Sequence, residues 1–209
     1  MSTVLSLIGK VGQGPYLDGS STKPGWLYQP MGDFFPALAL IPSHKTQATR
    51  HTFKVINDLG GHEGTLLDIG CSTGYYLAGL RDRYLSAFGC DADPAAVAVA
   101  KELGLNVVLG FEHLKFARYM RPVTALALNI HMWWHKQHVA DQMMDEIAER
   151  ADRLFFQTAG SKSGGIYRVP EFKTAADEDY YLSRWFDRRE LVDTTALHGG
   201  VRHLWLCQK

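Results

Sequence analysis

One stretch constrains this chain more than any other: Leu66-Leu67-Asp68-Ile69-Gly70-Cys71-Ser72-Thr73-Gly74, an apolar run that ends in a carboxylate and a turn of small residues. A buried strand running through such a turn into a helix opens a strand–helix–strand unit with a ligand at the turn. Twenty-one residues after Gly70, a second apolar run, Ala87-Phe88-Gly89-Cys90, ends in another acid, Asp91. An acid at that interval, on the end of the neighbouring strand, suits a ribose.

The rest of the chain continues the alternation. Strands are expected at 65–68, 87–91, 106–109, 123–129 and 153–157. Helices are expected at 43–59, 74–83, 93–103, 136–151 and 174–186, with a short helical piece near 113–119. Asp93 followed by Pro94 reads as a helix cap, and Gly104 as its stop. Residues 159–170 read as a Gly/Ser loop. Segments 190–196 and 201–208 alternate around His198-Gly199-Gly200, a hairpin signal. The expected architecture is therefore α/β: a doubly wound, mostly parallel Rossmann-like sheet with an antiparallel hairpin at its C-terminal end.

Residues 1–42 stand apart from residues 43–209. They hold five of the eight prolines, with Tyr16, Trp26, Tyr28, Phe34 and Phe35 interleaved. Proline breaks regular structure, while the aromatics must pack on something. This segment reads as an arm over the core or a lid on a pocket. The chain of 209 residues is long enough for one sizeable domain with a full core.

Lys plus Arg equals Asp plus Glu, at 22 each, so there is no broad field to attract a polyanion. Cys71, Cys90 and Cys207 form no CxxC pair and lie in or beside apolar runs, which fits a reducing cytoplasm. No secretory leader or membrane span is expected.

The turn itself discriminates between cofactors. A dinucleotide fingerprint wants a glycine where Ser72 stands, so that the backbone can approach a pyrophosphate. A charged Asp68 would repel that pyrophosphate and attract a cation. S-adenosylmethionine offers an ammonium and a sulfonium, and its carboxylate can accept from backbone N–H groups at the turn or the helix start. The residues thus favour S-adenosylmethionine over NAD.

Residues 66–74 resemble motif I of the class I S-adenosylmethionine-dependent methyltransferases, commonly written LDxGxGxG. Asp91 resembles their motif II acid. Phe111-Glu112 falls where the family places an adenine contact, Asn129-Ile130-His131 falls at motif IV, and the hairpin matches strands six and seven of a seven-stranded sheet. The resemblance covers residues 43–209. It implies a cofactor site of Asp68, Gly70, Cys71, Ser72, Gly74, Asp91, Ala92, Phe111, Glu112 and Asn129. Ser72 in place of the middle glycine and Glu112 in place of the usual Asp depart from the pattern.

Methyl transfer needs a positioned acceptor and, for a hydroxyl or protonated amine, a base. His131 and His135, just after the fourth strand, are the base candidates, beside Trp133 and Trp134. His131, His135 and His138 would share a helix face at a metal-ligand spacing, but no acid stands at a matching offset, so no metal is expected. The Asn-Ile-His-Met sequence lacks the prolines and aromatic that hold a flipped base in the methyltransferases of nucleic-acid amino groups. The expected activity is methyl transfer to an O or N of a small molecule. The alternatives are an RNA or protein acceptor, an NAD-type oxidoreductase, and a non-catalytic S-adenosylmethionine-binding module.

Overall fold

A computed structural model describes residues 2–8, 10–11, 26–43, 46–61, 63–111, 121–158, 169, 172–197 and 200–209. The expected helical piece near 113–119, Glu112 and nearly all of the 159–170 loop lie outside the described residues.

The sheet is built from β1 (Thr65–Ile69), β2 (Ser86–Asp91), β3 (Val107–Leu109), β4 (Val123–Leu128), β5 (Arg153–Gln157), β6 (Arg188–Leu197) and β7 (Gly200–Gln208). Their order is β3-β2-β1-β4-β5-β7-β6. The first five strands are parallel, and β7 inserts antiparallel between β5 and β6. This is the α/β, doubly wound, mostly parallel seven-stranded arrangement expected.

The central strands are apolar because both their faces are covered. Helices α1 (Ser2–Ile8), α2 (Thr46–Leu59), α3 (Tyr75–Leu80) and α4 (Pro94–Glu102) cover one face, where Ile56, Tyr75, Leu77 and Val97 pack with Leu66, Leu126, Phe155 and Leu204. Helices α5 (His131–Lys136), α6 (Ala140–Arg150) and α7 (Ala175–Leu182) cover the other, where Trp134, Met144, Ile147 and Leu182 pack with Leu67, Ala125, Phe156 and Trp205. The two sets follow the period-two alternation of each strand.

Capping follows the sequence. Asp93 accepts from the N–H groups of Ala95 and Ala96 to start α4, and Thr174 forms a capping box with Asp177 to start α7. One expectation needs correction. The helix expected from 136 to 151 starts later, at Ala140 (α6), and a separate short helix, α5, precedes it; Gln137–Val139 part the two, with His138 in the left-handed region at φ 58°. His138 therefore does not continue the face shared by His131 and His135.

Residues 26–43 are tied down by their own side chains. Leu27, Met31 and Leu38 are buried in the α1–α4 layer. Asp33 pairs with Arg50 of α2 and accepts from the Tyr75 hydroxyl at 2.9 Å. Gln29 reaches over the start of α3, where its Oε1 accepts from the Tyr75 backbone N–H at 3.2 Å.

Candidate functional site

The chain leaves β1 toward β2 and β3 on one side, and returns to β4 and β5 on the other. That reversal opens a crevice at the carboxyl ends of β1 and β4. A pocket occupies it on the α2 side of the sheet. Its floor is Asp68, Gly70, Leu128, Asn129 and Gln157, and its walls are Tyr76, Arg202, Ala48, Thr49 and Thr52. Tyr28 and Gln29 of the proline-rich segment close one edge.

Asp68 lies on the strand position that alternates with Leu66 and so faces the pocket. It is only 2% exposed, and its Oδ2 has no hydrogen-bond partner among the described residues. Burial, and then the nearby Asp91, push its pKa up to about 8. The sequence-level picture of a charged Asp68 is thus corrected: before a ligand binds, this carboxyl holds its proton at neutral pH. A buried carboxyl with an unpartnered oxygen fits a cation that can displace that proton. Asn129, at φ 60°, donates through Nδ2 to Gln157 Oε1 at 2.9 Å, and its Oδ1 is a second buried acceptor without a partner.

The turn between β1 and α3 is a closed hydrogen-bonded knot. The N–H groups of Gly70 and Cys71 both donate to the Cys90 carbonyl, at 2.8 and 3.0 Å, and that of Gly74 donates to the Cys71 carbonyl at 2.9 Å. The Ser72 N–H donates to Asp91 Oδ2 at 2.7 Å, while Asp91 Oδ1 accepts from Asp93 N–H at 2.8 Å. The N–H groups of Gly70, Cys71, Ser72 and Gly74 are thus already engaged within the chain, which counts against a pyrophosphate that needs free N–H groups there.

The glycine pattern has a steric cause. Gly70 has φ 74°, and a Cβ there would stand 2.8 Å from the Ile130 side chain. Ser72 occupies the left-handed region at φ 52°, a conformation in which glycine is less strained. The motif's usual middle glycine matches this backbone, and Ser72 adopts it with its N–H held by Asp91.

The remaining expected residues separate into groups. Cys71 is buried, and Ala92 is half-buried beside Asp91. Phe111, after β3, packs edge-on to Trp134 with ring centroids 6.3 Å apart. His131 and His135 are not among the pocket-lining residues. His131 is 1% exposed on the α5–α7 side, stacked on Phe172 at 5.2 Å and bonded through Nε2 to the Tyr181 hydroxyl at 3.0 Å. The Tyr181 hydroxyl donates in turn to Asp141 at 3.2 Å, which Arg184 holds. Burial drives the His131 pKa down to about 3, so the ring is neutral.

Sequence reasoning missed Gln29, Thr49, Thr52, Gln157 and Arg202. The strand pattern carried a signal for Gln157 alone, a polar residue ending an otherwise apolar run. The others come from elements whose approach to the crevice no local pattern encodes.

Solved structures share this arrangement. The bifunctional kinase-methyltransferase WbdD aligns with 88% of this chain at a TM-score of 0.62 and 13% identity. The Mtq2–Trm112 complex of E. cuniculi, responsible for methylation of the eRF1 translation termination factor, aligns with 77% at 0.56 and 14%. The N-terminal domain of EvdMO1, solved in the presence of SAH and D-fucose, aligns with 80% at 0.56 and 10%. This chain carries the class I methyltransferase fold. It spans 44% of the WbdD chain, 94% of the Mtq2–Trm112 match and 85% of the EvdMO1 domain. No protein-family model and no curated protein sequence matches it. No helix among the described residues is long and apolar enough to cross a membrane.

Proposed function

We propose that this protein is an S-adenosylmethionine-dependent methyltransferase acting on an O or N atom of a small molecule. The observation that carries the reading is the buried, unpartnered Asp68 Oδ2 at the crevice between β1 and β4, in a sheet of methyltransferase order. When bound, S-adenosylmethionine supplies a sulfonium-activated methyl; the acceptor lone pair forms the new bond to carbon as the carbon–sulfur pair leaves on sulfur.

The chain's own residues then divide the work. Asp68 takes the cofactor ammonium and gives up its proton, with Asn129 Oδ1 as a second acceptor. Gln29, Thr49 and Thr52 offer neutral polar groups on the opposite wall. Asp91 reaches the ribose while still holding the Ser72 N–H, since a carboxylate accepts several hydrogen bonds. Gly70, Cys71, Ser72, Gly74 and Ala92 shape the turn, and Phe111 borders the adenine side. Residues 26–43 act as a fixed wall of the site. His131 supports the α5–α7 layer rather than serving as a base, because burial leaves it a weak one.

The test is transfer of labelled methyl from S-adenosylmethionine to pooled small metabolites, with RNA and protein pools beside them. Label appearing only in RNA or protein would overturn the small-molecule assignment. Asp68→Ala or Asp91→Ala with unchanged cofactor affinity would overturn the site.

A further inference from the structure

Arg202 lines the pocket, yet among the described residues it makes no ion pair with an acid. Its position is set by register. Leu204 pairs with Gln157 across β5 and β7, and both face the α2 side of the sheet. Arg202, two residues along β7, faces the same way and stands one pleat, about 7 Å, closer to the mouth of the crevice. From Asp68 on β1 it is separated by β4 and β5, three strand spacings or about 14 Å across the sheet, and by four residues, about 13 Å, along the strand register.

The other lining residues are neutral polar or apolar apart from Asp68, which holds its proton. A guanidinium with no acid partner among the described residues, facing a pocket of neutral donors and acceptors, suits an anion, and its planar fork suits two oxygens at once. Asp193, on the same face of the neighbouring strand, is bound by His51 at 3.1 Å and by Thr195 at 2.6 Å, and no ion pair joins it to Arg202 among the described residues. A cofactor whose ammonium sits at Asp68 has its own carboxylate one carbon away, at the β1 end. The Arg202 end is left for a second molecule.

We propose that Arg202 marks the acceptor half of the pocket and that the methyl acceptor carries an anionic group, a carboxylate or a phosphate, held by that guanidinium. This inference rests on the methyltransferase reading.

The experiment titrates the full chain with S-adenosylhomocysteine, then titrates the loaded protein with inorganic phosphate and, separately, acetate, following heat and thermal stability. Wild-type protein is expected to be stabilised saturably by one of the two anions, which tells phosphate from carboxylate. Arg202→Gln is expected to lose that response at least tenfold, with S-adenosylhomocysteine affinity changed less than threefold, and Arg202→Lys to keep part of it. No anion response in wild type, or an equal response in Arg202→Gln, overturns the proposal. So does a tenfold loss of S-adenosylhomocysteine affinity in Arg202→Gln, which would make Arg202 a holder of the cofactor carboxylate. Failure of the methyltransferase reading itself shows earlier, as no S-adenosylhomocysteine binding before any anion is added.

Discussion

Asp91 stands close enough to Asp68 that its charge helps keep the Asp68 carboxyl protonated, while its own oxygens are bound by the Ser72 and Asp93 N–H groups. Burial raises the Asp91 pKa as well, against the lowering by those N–H groups. Asp91 is the hydrogen-bonded anchor of the turn, and Asp68 is a reservoir that ionises when a cation arrives.

Cofactor affinity is therefore expected to depend on pH. With the empty-site pKa at about 8, binding an ammonium at Asp68 releases a proton. The Kd for S-adenosylhomocysteine should fall close to tenfold per pH unit from 6 toward 8, then level off. Calorimetry in buffers of different ionisation enthalpy should count nearly one proton released at pH 7. In Asp68→Asn the slope should vanish and affinity at pH 8 should drop at least tenfold.

Asp68 should also cost the empty protein stability. Its folded pKa is raised above the unfolded value of 3.8, so the fold binds this proton more tightly than the unfolded chain does. The stability tied to that proton is present in full below about pH 4 and is lost as pH rises through about 8. Asp68→Asn should unfold at higher temperature than wild type at pH 8–9, by an amount on the order of a few kcal/mol, and the gap should close toward pH 4. Scanning calorimetry across that range is the check. A constant gap would mean that Asp68 is already ionised in the fold.

His131 is expected to behave as a packing residue. His131→Ala empties a site walled by Phe156, Phe172, Tyr181 and Trp134 and should cost about 3 kcal/mol in denaturant unfolding. Cofactor affinity should stay within a few-fold. Under conditions where the variant is folded, a pH–rate profile should show no limb near 6.5 that His131 removes. Loss of such a limb would restore it as the base.

The alternation of strands and helices was readable because buried parallel strands must be continuously apolar and their connecting helices amphipathic. Strand β5, Arg153–Gln157, is its apolar run Leu154–Phe156 with one residue added at each end, and the caps at Asp93 and Thr174 sit where their side-chain chemistry requires. The parting of α5 from α6 was not readable, since His138 takes the left-handed region in a stretch with no glycine or proline to mark it. Asp68 was identifiable as a site residue, but its protonation state depends on burial at a pocket it shares with Gln29, Thr52 and Tyr76, which come from other parts of the chain. Arg202 looked like an ordinary hairpin residue, because its role depends on the register of β7 against β5.

The decisive titration adds S-adenosylhomocysteine and NAD, each separately, to the full chain in a calorimeter at pH 7. One saturable S-adenosylhomocysteine site with proton release, and no binding of NAD, is the expected result. Binding of NAD alone, or S-adenosylhomocysteine binding that is unchanged in Asp68→Ala, would contradict it.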